Sequence, residues 1–105
     1  MIKKVKKKKV YKDYQELLFE RLQDPEIALG YLNQALLDDD QRVFLLALKD
    51  VLQARGEDIT ALAKAIDMSR PSIYRMLSKS GNPRWDSLAP IFNALGYHMQ
   101  LIPAK

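Results

Sequence analysis

Residues 60–79 read as two short helical segments, Thr60–Ile66 and Arg70–Lys79, parted only by Asp67-Met68-Ser69. Helices joined by three residues can cross steeply only if their facing positions are small or apolar and the joint accepts an unusual backbone. Ala63 supplies the close approach, and Leu62, Ile66, Met68, Ile73 and Met76 supply a buried wedge. Glycine is commonest at such a joint because it accepts positive φ, and aspartate is among the few other residues that do so at modest cost. Asp67 is therefore the expected pivot.

Asp67 lies four residues after Ala63 and six before Ile73, the spacing of a DNA-binding helix-turn-helix. Ser69 then becomes the N-cap of the second helix, and Pro71 falls in its first turn, where a missing N–H costs little. If Ile73, Met76 and Leu77 are buried, Arg70, Pro71, Tyr74, Arg75 and Lys79 point outward. Three cations and one aromatic on a face without acids suit a major groove, where arginine reads guanine through two parallel hydrogen bonds and lysine neutralises phosphate. Ser69 and Ser72 can bind phosphate oxygens beside them. A helical hairpin with a solvated basic face gives the same pattern without any nucleic acid, so both readings stand on spacing and charge alone.

The rest of the chain frames this corner. Its 105 residues, 48% hydrophobic, suffice for one small core. Tyr14, Leu17, Leu18 and Leu22 form one helical stripe, and Asp24-Pro25-Glu26 is a start signal for a second helix, with Ala28, Tyr31, Leu32, Ala35 and Leu36 on its buried face. Asp38-Asp39-Asp40 reads as a cap for a third helix rather than a cation site, since hard cations need ligands converging from several directions. Phe44, Leu48, Val51 and Leu52 line that helix, and Arg55-Gly56 is the expected stop. A last helix carries Leu88, Ile91, Phe92 and Leu95 and ends at Gly96; Pro90 within it removes one internal hydrogen bond. Loose alternation over Tyr97–Pro103 predicts a short strand.

Charge is distributed unevenly. The net +4 comprises seven lysines and no acid in residues 1–12, a balance of −5 over residues 13–55, and +2 over residues 56–105. The basic arm reads either as a solubilising tail or as a phosphate-tracking segment whose binding falls steeply with salt. An acidic front half complements a basic protein partner, although acidic helix faces are commonly just solvated. The arm resembles the start of a signal peptide, but DYQELLFERLQD follows it where an apolar segment is required, and no run approaches a membrane span. With no cysteine in the chain, a cytoplasmic location is the expectation.

No catalytic arrangement emerges. The single histidine, His98, lies in the expected strand without a Cys, Ser-Asp or metal-ligand partner nearby in sequence, and no cofactor-binding motif is present. Trp85, Phe92, Tyr97, Met99 and Leu101 lie beyond the corner and are candidates for pairing across a two-fold axis, with closure of the core as the alternative for Phe92.

The segments DPEIALGYLNQALLDDDQRVFLLALKDVLQARG and ITALAKAIDMSRPSIYRMLSKSGNPRWDSLAPIFNALGYHMQLIP together resemble the Xre/Cro-type helix-turn-helix. More narrowly, YLNQAL, IYRMLSKSGNP and ALG make residues 24–103 similar to the HigA-like "probable addiction module antidote" proteins of type II toxin–antitoxin systems. The resemblance implies an all-α, lambda-repressor/Cro-like bundle with extra N-terminal helices and a short C-terminal strand. The chain then divides into a basic arm (1–12), which departs from the family pattern, N-terminal helices packed on the core (13–37) and a DNA-binding domain with a dimerisation strand (38–105). The resemblance also implies base-facing roles for Arg70, Pro71 and Arg75, with Ser69 and Tyr74 beside them and Asn82 and Arg84 in a loop near the sugar-phosphate backbone. The partners it implies are double-stranded operator DNA, a RelE/ParE-like toxin and a second copy of the chain. A stand-alone phage-type repressor, and a protein-interaction module that binds no DNA, remain open beside this antitoxin reading.

Overall fold

The computed structural model describes residues 13–78 and 81–104, and its regular elements are all helical: α1 (residues 13–22), α2 (Pro25–Leu36), α3 (Gln41–Ala54), α4 (Gly56–Ile66), α5 (Arg70–Met76) and α6 (Trp85–Leu95). The basic arm at 1–12 and Lys79 lie outside the described residues. No helix among those described is long and apolar enough to cross a membrane.

The helix starts follow from local chemistry. Asp24 is extended, at φ −77° and ψ 121°, and its carboxylate accepts the Glu26 backbone N–H at 2.9 Å while Pro25 opens α2. Asp40 does the same for α3, accepting from the Arg42 N–H at 3.0 Å, and Asp38 in turn accepts from the Asp40 N–H at 2.8 Å. The acidic triplet is thus a cap with a buttress. The Arg42 guanidinium folds back on Asp40 through contacts of 2.8 and 3.0 Å, and these hydrogen bonds hold the Asp40 carboxyl below its ordinary pKa.

Two helices end through the same left-handed device, with different residues. At the end of α6, Gly96 adopts φ 82°, its N–H reaching the Asn93 carbonyl and that of Tyr97 reaching the Phe92 carbonyl at 2.8 Å. At the end of α4, Asp67 adopts φ 54° and ψ 48°, and the N–H groups of Asp67 and Met68 both turn back to the Ala63 carbonyl. Such closures satisfy carbonyls that the helix leaves without partners.

One core serves every helix. Leu22 from α1, Ala28 and Leu32 from α2, Leu48 and Leu52 from α3, Ile59 and Leu62 from α4, Ile73 from α5 with Leu77 just past its end, and Ile91 and Phe92 from α6 are all buried in one cluster. α3 packs against α2 on one side and α4 on the other, and α4 also carries α5 and α6. No charged or polar side chain among the described residues is buried.

Three expectations are corrected. Gly56 does not cap α3: Arg55, at φ −108° and ψ 62°, is the whole joint, and Gly56 is already the first residue of α4, which begins four residues earlier than the periodicity suggested. The strand expected over Tyr97–Pro103 does not form, and no strand exists among the described residues. A strand needs a neighbouring backbone to pair with, which a single chain built of helices does not offer. Leu36, read as buried, is exposed, and so are Tyr14 and Leu17 of the α1 stripe, because α1 and α2 touch the rest of the protein along narrower stripes than their apolar faces.

Candidate nucleic-acid interface

The joint between α4 and α5 is the three residues 67–69, as the spacing required. Asp67 takes the left-handed conformation that turns the chain, and it is the one non-glycine residue with positive φ among those described. Met68 packs against the core under the turn. Ser69 is extended at ψ 154° and caps α5, its hydroxyl oxygen accepting from the Ser72 N–H at 3.2 Å while donating to the Ser72 Oγ at 2.8 Å. Pro71 sits in the first turn, where its missing N–H breaks no helical bond.

These constraints sort the side chains of α5. Ile73 and Leu77 are fully buried, and Tyr74 and Met76 are half-buried against the core. Ser69, Arg70, Pro71 and Arg75 are exposed, and Ser72 is half-buried. No acid lies on α5, so both arginines project from a helix that offers them no internal salt bridge. Tyr74 is less available than its position suggests, since part of its ring rests on the core.

The loop after α5 is held close to it. The Ser78 hydroxyl donates to the Arg75 carbonyl at 2.7 Å, and the Gly81 N–H reaches the Ser78 carbonyl at 2.9 Å. Gly81 lies so near the end of α5 that a Cβ there would run into the Met76 carbonyl oxygen and sit 2.7 Å from its carbon. Only glycine allows this approach. The exposed Asn82 and Arg84 follow from this anchored point. Arg84 precedes α6 and its guanidinium stands 4.0 Å from the Asp86 carboxylate, with both side chains 85% exposed. A solvent-exposed contact of that length restrains the guanidinium little.

The five residues considered for pairing between copies divide. Phe92 is 6% exposed and belongs to the core, with its ring 6.0 Å from that of Phe44 and 6.1 Å from that of Trp85. Trp85 and Met99 are about half exposed and border a groove of about 300 Å³ together with Leu36 and Leu88. Tyr97 is half-buried, whereas Leu101 is 96% exposed. His98 is exposed, and no group of three His, Cys, Asp or Glu side chains among the described residues could hold a metal ion.

One feature escaped the sequence reading. Tyr31 and Asp50, nineteen residues apart, meet across α2 and α3 with the tyrosine donating to the carboxylate at 2.9 Å. Burial, together with this carboxylate, pushes the Tyr31 hydroxyl up to about 12, and burial raises Asp50 above its ordinary value against the opposing influence of the tyrosine. Beside them Val43 and Leu46 remain exposed on α3. The signal was the run VFLLAL at 43–48, six consecutive apolar residues that no single buried face of a helix can absorb.

Comparison with known proteins adds the family. Residues 14–103 match the family described as "Probable addiction module antidote protein". An uncharacterized protein of Haemophilus influenzae (strain KW20 Rd) is 32% identical over 82 residues, which cover 78% of this chain and 82% of that one. No solved structure matches. The match takes in all but the start of α1 and every later helix, corner included, and the chain belongs to the probable addiction module antidote proteins, a family of antitoxins.

Proposed function

We propose that this antitoxin represses its own operon by laying α5 in the major groove of operator DNA as the second helix of a helix-turn-helix, and that it neutralises a RelE/ParE-like toxin. The observation that carries the DNA reading is the left-handed Asp67, whose turn sets α5 on the surface with Arg70, Pro71 and Arg75 all exposed. Arg70 and Arg75 then read base edges, and Pro71 offers apolar contact, as to a thymine methyl. Asn82 and Arg84, carried on the loop that Gly81 anchors, and Ser69 and Ser72 contact phosphate, positioning the helix without specifying sequence. Lys79 would extend this phosphate footprint.

In this reading the operator is palindromic and a second copy docks through Trp85, Tyr97, Met99 and Leu101, placing two recognition helices about 34 Å apart, one turn of DNA. The exposure of Leu101 and the half-open groove at Trp85 and Met99 support such pairing, and a partner's backbone would supply what the segment after Gly96 needs to become a strand. Phe92 supports that surface from beneath.

Co-purification of the chain with the product of the adjacent reading frame, followed by footprinting on the shared promoter, tests the proposal. A stable complex that protects a palindrome is expected. Protection without a bound partner would leave a stand-alone repressor, and a bound partner without protection would leave a pure interaction module.

A further inference from the structure

We propose that the groove between α2 and α3 is where the toxin docks, and that it receives an apolar side chain flanked by lysine or arginine. This inference rests on the antitoxin reading and assigns it a surface. The groove, about 590 Å³, is walled by Tyr31, Ala35 and Leu37 on the α2 side and by Val43, Leu46 and Asp50 on α3. That volume takes one or two large side chains. Leu37, Val43 and Leu46 are 77%, 37% and 46% exposed, a cluster of apolar surface that no other described residue covers.

Charge selects the occupant. Residues 24–54 hold six acids against two bases, a balance of −4, and one of those bases, Arg42, is committed to Asp40. Asp50 stands at the groove wall with Oδ2 taken by Tyr31, leaving Oδ1 to accept from an incoming cation. Asp38 also lines the groove. Apolar walls inside an acidic surround fit a basic protein that presents a hydrophobic anchor, with the charges speeding encounter and the anchor slowing release.

Position adds a consequence. The groove is built by α2 and α3, whereas α5 is carried by α4. A partner seated in the groove leaves Arg70 and Arg75 uncovered, so toxin and operator can be held together.

The test is binding of the purified adjacent-frame product to full-length chain carrying Leu46→Lys or Leu46→Glu, with helicity and promoter binding measured alongside. Both variants remove apolar contact, but only lysine repels a basic partner. Expected are losses of about 100-fold for Leu46→Lys and about 10-fold for Leu46→Glu, with promoter binding unchanged. Wild-type affinity in both overturns the groove while leaving the antitoxin reading intact. Equal losses overturn the charge complementarity. A change in the sedimentation of the variant alone assigns the groove to a second copy, which also overturns the inference. If the wild-type chain binds no such product, the antitoxin reading itself fails and takes the groove with it.

Discussion

The hydroxyl of Tyr31 donates to the Asp50 carboxylate at 2.9 Å and ties the middle of α2 to α3 across nineteen residues of chain. Tyr31→Phe removes it and leaves a half-buried acceptor without its donor. A loss of about 1 kcal/mol in chemical denaturation at neutral pH is expected. Tyr31 has a folded pKa of about 12, above its ordinary 10.0, so its contribution is complete below 10.0 and disappears as pH rises towards 12. The gap between wild type and Tyr31→Phe should narrow over that window.

Asp50 titrates with the same sign in a lower range. Its folded pKa lies above the ordinary carboxylate value, chiefly through burial, so the chain gains most from a protonated Asp50 on the acid side and loses that gain as pH rises through the folded pKa. Asp50→Asn keeps an acceptor for Tyr31 and abolishes the titration. Relative to the variant, the wild type should therefore be more stable in acid than at neutrality, as read by denaturation midpoints at the two pH values.

Asp67 is the strained element of the corner. Asp67→Gly keeps the left-handed turn and is expected to leave both stability and promoter binding near wild type. Asp67→Val, β-branched at φ 54°, should lose about 1–2 kcal/mol and weaken promoter binding as α5 shifts.

Gly81 makes a separate prediction for the loop. Gly81→Ala sets a Cβ against the Met76 carbonyl, backbone that cannot swing aside, and should lower stability by about 1–3 kcal/mol. Because Asn82 and Arg84 follow directly, promoter affinity should fall as well, measured by fluorescence anisotropy on folded protein.

Much of this was legible because its causes are local. Asp24-Pro25 and Asp40 begin helices through their own side chains, Ser69 caps α5 within three residues, and Asp67 and Gly96 close helices in conformations that few residue types adopt. What failed to read through depends on distant partners. Gly56 carries a stop signal that the one-residue joint at Arg55 made unnecessary. The alternation after Gly96 is a strand pattern without a neighbouring strand. The exposure of Leu36, and the meeting of Tyr31 with Asp50, are set by how far α2 overlaps α3, which no local pattern encodes. The corner was therefore visible in the sequence, and the groove was not.

The most direct measurement is a titration of the promoter fragment with wild-type chain and with Arg70→Ala/Arg75→Ala, against an unrelated duplex and at two salt concentrations. Both arginines are exposed, so the variant should retain its helicity and unfolding midpoint. If they read bases, the double variant loses about 2–6 kcal/mol of promoter affinity and most of its preference over the unrelated duplex, whereas Arg84→Ala weakens both duplexes alike and lowers the salt slope by about one. A folded double variant that still prefers the promoter as the wild type does would contradict the assignment of α5 to the groove.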